Sequence, residues 1–305
     1  MKKIYISILL VLATMWGCGK VSVNVDQDTY NPKIVVEGYL YPGQQSAHVQ
    51  LTRNYGLNME IDLSKIVISD ATVTLSDMAN GTTYGLQYNA ASLSYEYPGS
   101  DLLVEYNHTY RLDVQASIDG TALSASAVTT TPENGFSIDK NASKLGTLNY
   151  TDALESDTKF NLKFHRSPTI DSYITSIVAL DASLNNFIED NIFGIDKEDI
   201  DDPGDADELK WYNFLKNQSQ WTMTELGQSD DLSSIDIEWF STWFYGRYRV
   251  IMYCADVNMT EYFLTHNQIM EEDGNLLEPK FHFEGDAIGV FGSAIADTVY
   301  FNVTK

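Results

Sequence analysis

Apolar residues recur at every second position along much of the chain, and turn-forming residues separate these runs. Ile34-Val35-Val36-Glu37-Gly38-Tyr39-Leu40 predicts a strand that Pro42-Gly43 ends, and His48-Val49-Gln50-Leu51-Thr52 predicts a second. Ala71-Thr72-Val73-Thr74-Leu75 alternates apolar residues with threonine before Asn80-Gly81 turns the chain. Tyr110, Leu112, Val114 and Ala116 share one face of a further strand, Asp119-Gly120 makes a hairpin, and Leu123 to Val128 returns. Short alternating strands at this spacing, with turns between them and no helical pattern, predict an antiparallel β-sandwich of the Ig-like kind over residues 32–132.

Thr129-Thr130-Thr131-Pro132-Glu133-Asn134-Gly135 has linker chemistry, and a domain boundary is expected there. Residues 133–305 then read as a second antiparallel sandwich. Phe160, Leu162 and Phe164 alternate with Lys159, Asn161 and Lys163, a strand over Tyr173 to Leu180 follows, and Tyr245 to Cys254 resumes the pattern. An insertion around 185–235 breaks it: this stretch is acidic and irregular, with a short helix expected near Glu208–Leu215. Asn258 is placed to cap a helix over Met259 to Ile269, and Gly285 to Val303 closes the chain with strand. No internal repeat is present. The fold expected is mainly β: two antiparallel sandwiches, with short helices and acidic loops inserted into the second.

The first residues follow a different logic. Met1-Lys2-Lys3 is basic, Ile4 to Trp16 is apolar, and Gly17-Cys18 follows. A basic start, an apolar run and a small residue form a secretory signal, and the run is shorter than the ~20 apolar residues of a membrane-spanning helix. Met15-Trp16-Gly17-Cys18 resembles a bacterial lipobox, in which the cysteine after the cut takes lipid. Residues 1–17 are thus expected to be a lipoprotein signal peptide, Cys18 the lipidated residue, and 18–31 a polar tether. Two or more acyl chains hold a protein stably on a bilayer, where one does so only marginally.

Charge narrows the partners. Among 305 residues, 19 Lys and Arg stand against 43 Asp and Glu, a net charge of −24. That surface repels phosphate backbones, so nucleic acid is excluded as a partner, and it repels anionic lipid heads, so membrane attachment must be hydrophobic or covalent. The two cysteines, Cys18 and Cys254, make neither a disulfide framework nor a metal cluster, and Cys254 reads as a buried small hydrophobe.

Catalytic motifs are incomplete. Ser234-Ile235-Asp236-Ile237-Glu238-Trp239 is similar to the strand of lichenase-type glucanases that aims paired carboxylates into one cleft, but Ser234 stands at the nucleophile position and cannot form the glycosyl ester. His48, His108, His165, His266 and His282 show no zinc spacing, and there is no nucleophile elbow or phosphate-binding loop. No enzyme activity and no cofactor beyond the covalent lipid are therefore expected. An EF-hand register starting at Asp199 fails, because Pro203 replaces a ligand and Lys210 stands where the bidentate glutamate belongs. Asp199, Asp201, Asp205 and Asp207 keep two readings, a looser oxygen-rich Ca2+ site or a solvated acidic loop.

All tryptophans after Cys18, namely Trp211, Trp221, Trp239 and Trp243, fall between positions 211 and 243, beside Tyr212, Phe214, Phe240, Phe244 and Tyr245. Aromatics this dense build a core, offer a face to a protein partner, or form a sugar-stacking platform.

Pro32-Lys33-Ile34-Val35-Val36-Glu37-Gly38, Tyr110-Arg111-Leu112-Asp113-Val114, the lipobox cysteine and Gly289-Val290-Phe291-Gly292-Ser293 together resemble the domain of unknown function 4249 family of Bacteroidota lipoproteins. The resemblance runs over nearly the whole chain after the signal and implies an outer-membrane lipoprotein of sandwich-like domains, often encoded beside a TonB-dependent receptor, with no catalytic residues to carry over. The acidic insertion departs from the family pattern. The function expected is a non-catalytic binding or accessory module, with a TonB-dependent transporter as partner. The other reading is a glycan- or ligand-binding surface lipoprotein.

Overall fold

The computed structural model describes residues 30–45, 47–56, 59–156, 158–191, 193–201, 204–224, 232–266 and 279–305. The signal peptide, Cys18 and nearly all of the tether lie outside the described residues. By its contacts the chain forms two compact units, Met1–Asn31 with Tyr55–Ile61, and Pro32–Asn54 with Asp62–Lys305. In the described part of the first, the Met59 N–H donates to Gly56 O at 3.0 Å. The second unit holds all the strands.

Its first sandwich is built as the alternation requires. Strands β1 (Ile34–Leu40), β2 (His48–Arg53), β3 (Thr72–Asp77), β4 (Thr82–Asn89), β5 (Ser94–Glu96), β6 (Thr109–Ile118) and β7 (Thr121–Thr130) follow in order. Ile34, Val36, Leu40, Val49, Leu51, Val73, Leu75, Leu112 and Val114 point into one core, which is the half-buried pattern of period two. Asp119 and Gly120 both have positive φ (51° and 83°), and Ile118 pairs with Thr121, so the Asp-Gly hairpin is a tight turn of two residues. The Asn80-Gly81 turn is wider. Asp77 pairs with Thr82, and the Gly81 N–H donates to Asp77 O at 2.8 Å.

The rest of the chain carries β8 (Ser137–Ile138), β9 (Gly146–Asn149), helix α1 (Tyr150–Ser156), β10 (Phe160–His165), β11 (Ser172–Ala179), helix α2 (Ala206–Lys216), β12 (Asn217–Met223), β13 (Ser233–Ile237), β14 (Gly246–Ala255), helix α3 (Val257–His266), β15 (Phe283–Gly285), which pairs with β7 of the first sandwich, and β16 (Ala287–Thr304). A small sheet ordered β13-β10-β8 contributes Ile138, Phe160, Leu162, Phe164 and Ile237 to a second core. Tyr173, Ile177, Tyr248, Val250, Met252, Cys254, Val299, Phe301 and Val303 of β11, β14 and β16 complete it.

β16 joins the two. Its first residues, Ala287 to Ser293, pair with all of β1, and its later residues, Ala294 to Val303, pair with β14. The result is a long continuous sheet ordered β12-β11-β14-β16-β1-β2-β5-β4-β3-β6-β7-β15, with β9 pairing to β16 off this path. The β1–β16 and β16–β9 ladders are parallel, so the sandwiches are not purely antiparallel as expected. Phe283, Ala287 and Phe291 belong to the first core; residues 283–291 thus return to the N-terminal side of the expected boundary at Pro132. Gly289 makes the crossing feasible: at φ +108°, a Cβ there would sit 2.1 Å from Val36 O.

Buried tyrosines fasten loops to both sandwiches through their hydroxyls. Tyr95 donates to Ile68 O at 2.9 Å and Tyr110 accepts from the Glu105 N–H at 2.8 Å. Tyr173 donates to Ile170 O at 3.1 Å and Tyr248 to Phe244 O at 2.8 Å. Tyr110 lies on the Tyr-Arg-Leu-Asp-Val segment that carried the family resemblance, and its bond to the loop just before its own strand is the tyrosine-corner device of Ig-like sandwiches. Burial pushes all four hydroxyls above the ordinary phenol value.

Candidate functional site

The acidic insertion contains the short helix expected near Glu208–Leu215, as α2, and a strand that was not expected, β12. Asp205 starts α2 by accepting from the N–H groups of Asp207 (2.9 Å) and Glu208 (3.2 Å), which satisfies two of the donors a helix leaves open at its start. Ahead of it, a 3-10 turn over Lys197–Asp199 is held by the Asp196 N–H donating to the Asp199 carboxylate at 3.0 Å. One side of α2 packs inward: Leu215 is buried, and Tyr212 donates to Ala182 O at 3.0 Å with its ring 5.7 Å from that of Phe244. The opposite side presents Lys210, Trp211 and Phe214 to solvent. β12 follows directly and pairs with β11.

The four tryptophans separate into different roles. Trp211 and Phe214 are 50% and 56% exposed, with perpendicular rings at 5.8 Å, and Trp221 on β12 is 40% exposed. Trp243, at 7%, belongs to the second core. Trp239 is partly buried in a 3-10 turn over Trp239–Ser241, where the exposed Phe193 stacks on it at 6.1 Å and meets Trp243 at 5.4 Å. Both aromatic readings thus hold, for different residues. The sequence could not separate them, because Trp211, Trp239 and Trp243 all lie beside other aromatics and the polar run around Trp221 carries no alternation to mark its facing.

Around Trp211 the surface is concave. A cavity of about 380 Å³ is lined by Ile195, Glu198, Asp199, Asp207, Glu208 and Trp211, and a second of about 370 Å³ by Asp207, Lys210, Trp211 and Phe214. Acid and aromatic groups therefore face the same space. Such a surface suits a ligand group that is cationic or has an apolar face to stack on Trp211. The four aspartates of the calcium reading are all exposed, and Asp205 and Asp199 are engaged by backbone N–H groups. Among the described residues no three His, Cys, Asp or Glu side chains are grouped to hold a metal ion.

Elsewhere the sequence candidates have local partners. The Asp236 carboxylate accepts from Asn161 at 2.7 Å, and Glu238 pairs with Lys159 at 3.0 Å. His48, His108 and His282 lie against Glu96, Asp77 and Glu261. Cys254 is fully buried, and burial pushes its thiol up to about 12, where it stays protonated and unreactive.

Two buried aspartates escaped the sequence reading. Asp77 accepts from the Ala79 N–H (2.9 Å), Asn80 Nδ2 (3.0 Å) and the His108 ring (3.0 Å). Burial alone would raise its pKa, but the bonds from His108, Ala79 and Asn80 outweigh it and hold the carboxyl below its ordinary value. Asp256, not Asn258, caps α3, accepting from the Met259 N–H at 3.0 Å. Asn258 turns aside to donate to Val128 O (2.7 Å) and Phe291 O (2.9 Å). An aspartate three residues before Met259 was the available cap signal.

Sheets and surface together define a class: a mainly β protein of sandwich-like sheets carrying an acidic and aromatic insertion. A family model described as Domain of unknown function (DUF4249) matches residues 20–295, and the chain belongs to that family. No curated protein is similar to it at a significant level. Among solved structures, the native conformation of E. coli alpha-2-macroglobulin aligns at 12% identity and a TM-score of 0.24, over 93% of this chain and 17% of that one. The chain spans less than a fifth of that protein, and the likeness carries no argument.

Proposed function

We propose that the chain is an outer-membrane lipoprotein of Bacteroidota type, held by a covalent lipid on Cys18, and acts as a non-catalytic binding or accessory module of a TonB-dependent transporter. The anchor reading rests on Met15-Trp16-Gly17-Cys18 and the apolar run before it. No helix of the described residues is long and apolar enough to cross a membrane. The observation that carries the binding reading is the exposed Trp211 beside the carboxylates of Glu198, Asp199, Asp207 and Glu208, with the exposed Phe214 sharing the adjoining cavity. Large aromatics left in solvent bury well against a partner, and at the centre of an interface each contributes about 2 kcal/mol or more. Loops and short elements on a rigid sandwich are where binding normally sits.

The test is capture from detergent-solubilised outer membranes on the full-length, lipidated chain. Replacing the exposed Trp211 and Phe214 by alanine is expected to leave the thermal midpoint nearly unchanged and to weaken capture of the transporter. Full capture by that variant would move the partner surface elsewhere on the chain. Palmitate labelling in parallel, with Cys18→Ala expected to abolish it, tests the anchor independently of the partner.

A further inference from the structure

Where the two sandwiches meet, three buried side-chain oxygens and the carbonyl of the exposed Thr130 form a chain. Asp256 Oδ2 lies 2.6 Å from Thr129 Oγ1, Thr129 Oγ1 lies 2.8 Å from Ser293 Oγ, and Ser293 Oγ lies 3.1 Å from Thr130 O. Thr129, Ser293 and Asp256 are all buried. They come from three places: the end of β7, the middle of β16, and the residue between β14 and α3. The backbone closes round them, with the Asp256 N–H donating to Ser293 O at 2.9 Å. Gly292 leaves the necessary room, since a Cβ there would stand 2.9 Å from Asp256 Oδ1.

Three contacts link these four oxygens, and each hydrogen bond needs one hydrogen. Thr129 and Ser293 supply one each, and the Thr130 carbonyl supplies none. A single Thr129 hydrogen cannot serve both Asp256 and Ser293. The count closes when the third hydrogen sits on the carboxyl: Asp256 donates to Thr129, Thr129 to Ser293, and Ser293 to Thr130 O. The other carboxyl oxygen fits this division. Oδ1 accepts from the N–H groups of Met259 (3.0 Å) and Ser293 (3.2 Å), as a carbonyl oxygen with two lone pairs does.

We propose that Asp256 is a protonated carboxylic acid in the folded protein and forms, with Thr129 and Ser293, a pH-sensitive latch between the two sandwiches. Ionisation removes one of three hydrogens from the chain and leaves a bare charge in a buried place. Among the described residues no cationic side chain is paired with that charge. β7 bears no ionisable residue. On β14 stand Arg247, Tyr248, Arg249, Tyr253 and Cys254, on β16 Asp297 and Tyr300, and on α3 Glu261, Tyr262 and His266. None of these hydrogen-bonds to Asp256: Arg247 pairs with Asp181, and Glu261 with Lys280 and His282. Burial, the largest effect on the group, raises the pKa of Asp256 in the same direction, against the backbone N–H groups that favour the charge.

The sign follows from linkage. With the folded pKa raised above the unfolded value of ~3.9, the stabilisation is full below ~3.9 and is lost as pH rises towards the folded pKa. Asp256→Asn tests this, because its amide nitrogen donates where the acid hydrogen donates and its oxygen still accepts. Stability of the full chain is measured against pH for wild type and D256N, so that the other titrating groups cancel in the difference. The folding constant of wild type relative to D256N is expected to fall by up to about tenfold per pH unit above ~3.9, until the folded pKa is passed. A difference of the opposite sign, with wild type gaining on D256N as pH rises, overturns the proposal. Should D256N fail to fold, infrared spectroscopy of the wild type decides. A buried carboxylic-acid C=O band that persists well above ~pH 4 supports the latch, and a carboxylate band alone there refutes it.

Discussion

The first sandwich keeps its aromatic rings at least partly buried and exposes only aliphatic side chains such as Leu63, Met78 and Leu93, whereas the second leaves several of its largest aromatics in solvent. Tyr95, Tyr110 and Leu75 of the first are almost wholly enclosed, and the hydroxyls of Tyr95 and Tyr110 and the carboxylate of Asp77 tie its loops down. The second has an equally enclosed centre, where Phe301 stacks on Phe160 at 3.9 Å and on Tyr248 at 4.9 Å. Yet its insertion carries Trp211, Phe214, Trp221 and Phe193 outward. Both parts use the same strand chemistry, so the contrast marks the insertion as a segment whose composition is not set by packing.

The sharpest way to break that contrast is to remove a ring from the centre of the second core. Phe301→Ala is expected to cost about 3–5 kcal/mol, since it deletes a stacked partner of two aromatics and leaves a cavity. Denaturant unfolding measures it, and a loss under 1 kcal/mol would mean that the second core is as permissive as its surface. The next largest effect lies in the first sandwich. Asp77→Ala should cost about 1–3 kcal/mol, because it strips the acceptor from Asn80 and His108 and from the turn amides. Its pH dependence has the opposite sign to that inferred for Asp256. A carboxyl held below its ordinary value in the fold stabilises above the unfolded pKa of ~3.9 and loses that contribution as pH falls through the folded value. The Asp77→Ala variant should therefore flatten the acid limb of the stability profile. An unchanged limb would show that Asp77 is not ionised in the fold. The smallest effect is expected at Trp211→Ala, within about 0.5 kcal/mol of wild type, as for exposed positions that no buried network uses. A larger loss would make Trp211 part of the core and end its candidacy as a contact residue.

Much of the first sandwich was legible because its strands announce themselves locally, by alternation and by turns such as Asp119-Gly120. Parallel pairing has no such signal: nothing near Ile34 marks Ala287 as its neighbour, some 250 positions later. β12 was hidden for another reason. Asn-Gln-Ser-Gln-Trp-Thr-Met has no apolar alternation, and the strand is held by its ladder to β11, its residues alternately exposed and half-buried and none of them buried. At the surface site, the sequence marked the cluster of tryptophans but not which of them face outward, since that depends on how α2 turns on Tyr212 and Leu215. The Asp256 junction is assembled from three distant segments, and no spacing within any one of them reveals it.

The shared strand β16 has a consequence for the order of assembly. Both sandwiches take a central ladder from the last stretch of the chain, so neither reaches its native pairing until residues 287–304 are in place. Contacts of such long sequence separation slow folding, because chain entropy is surrendered before the pairing returns it. Until that strand arrives, β1 and β14 each present an open edge, the kind of surface that invites pairing with the wrong chain. For this molecule, then, the interval between synthesis and the docking of β16 is the period of greatest exposure to aggregation, and a helper that shields bare strand edges would act then.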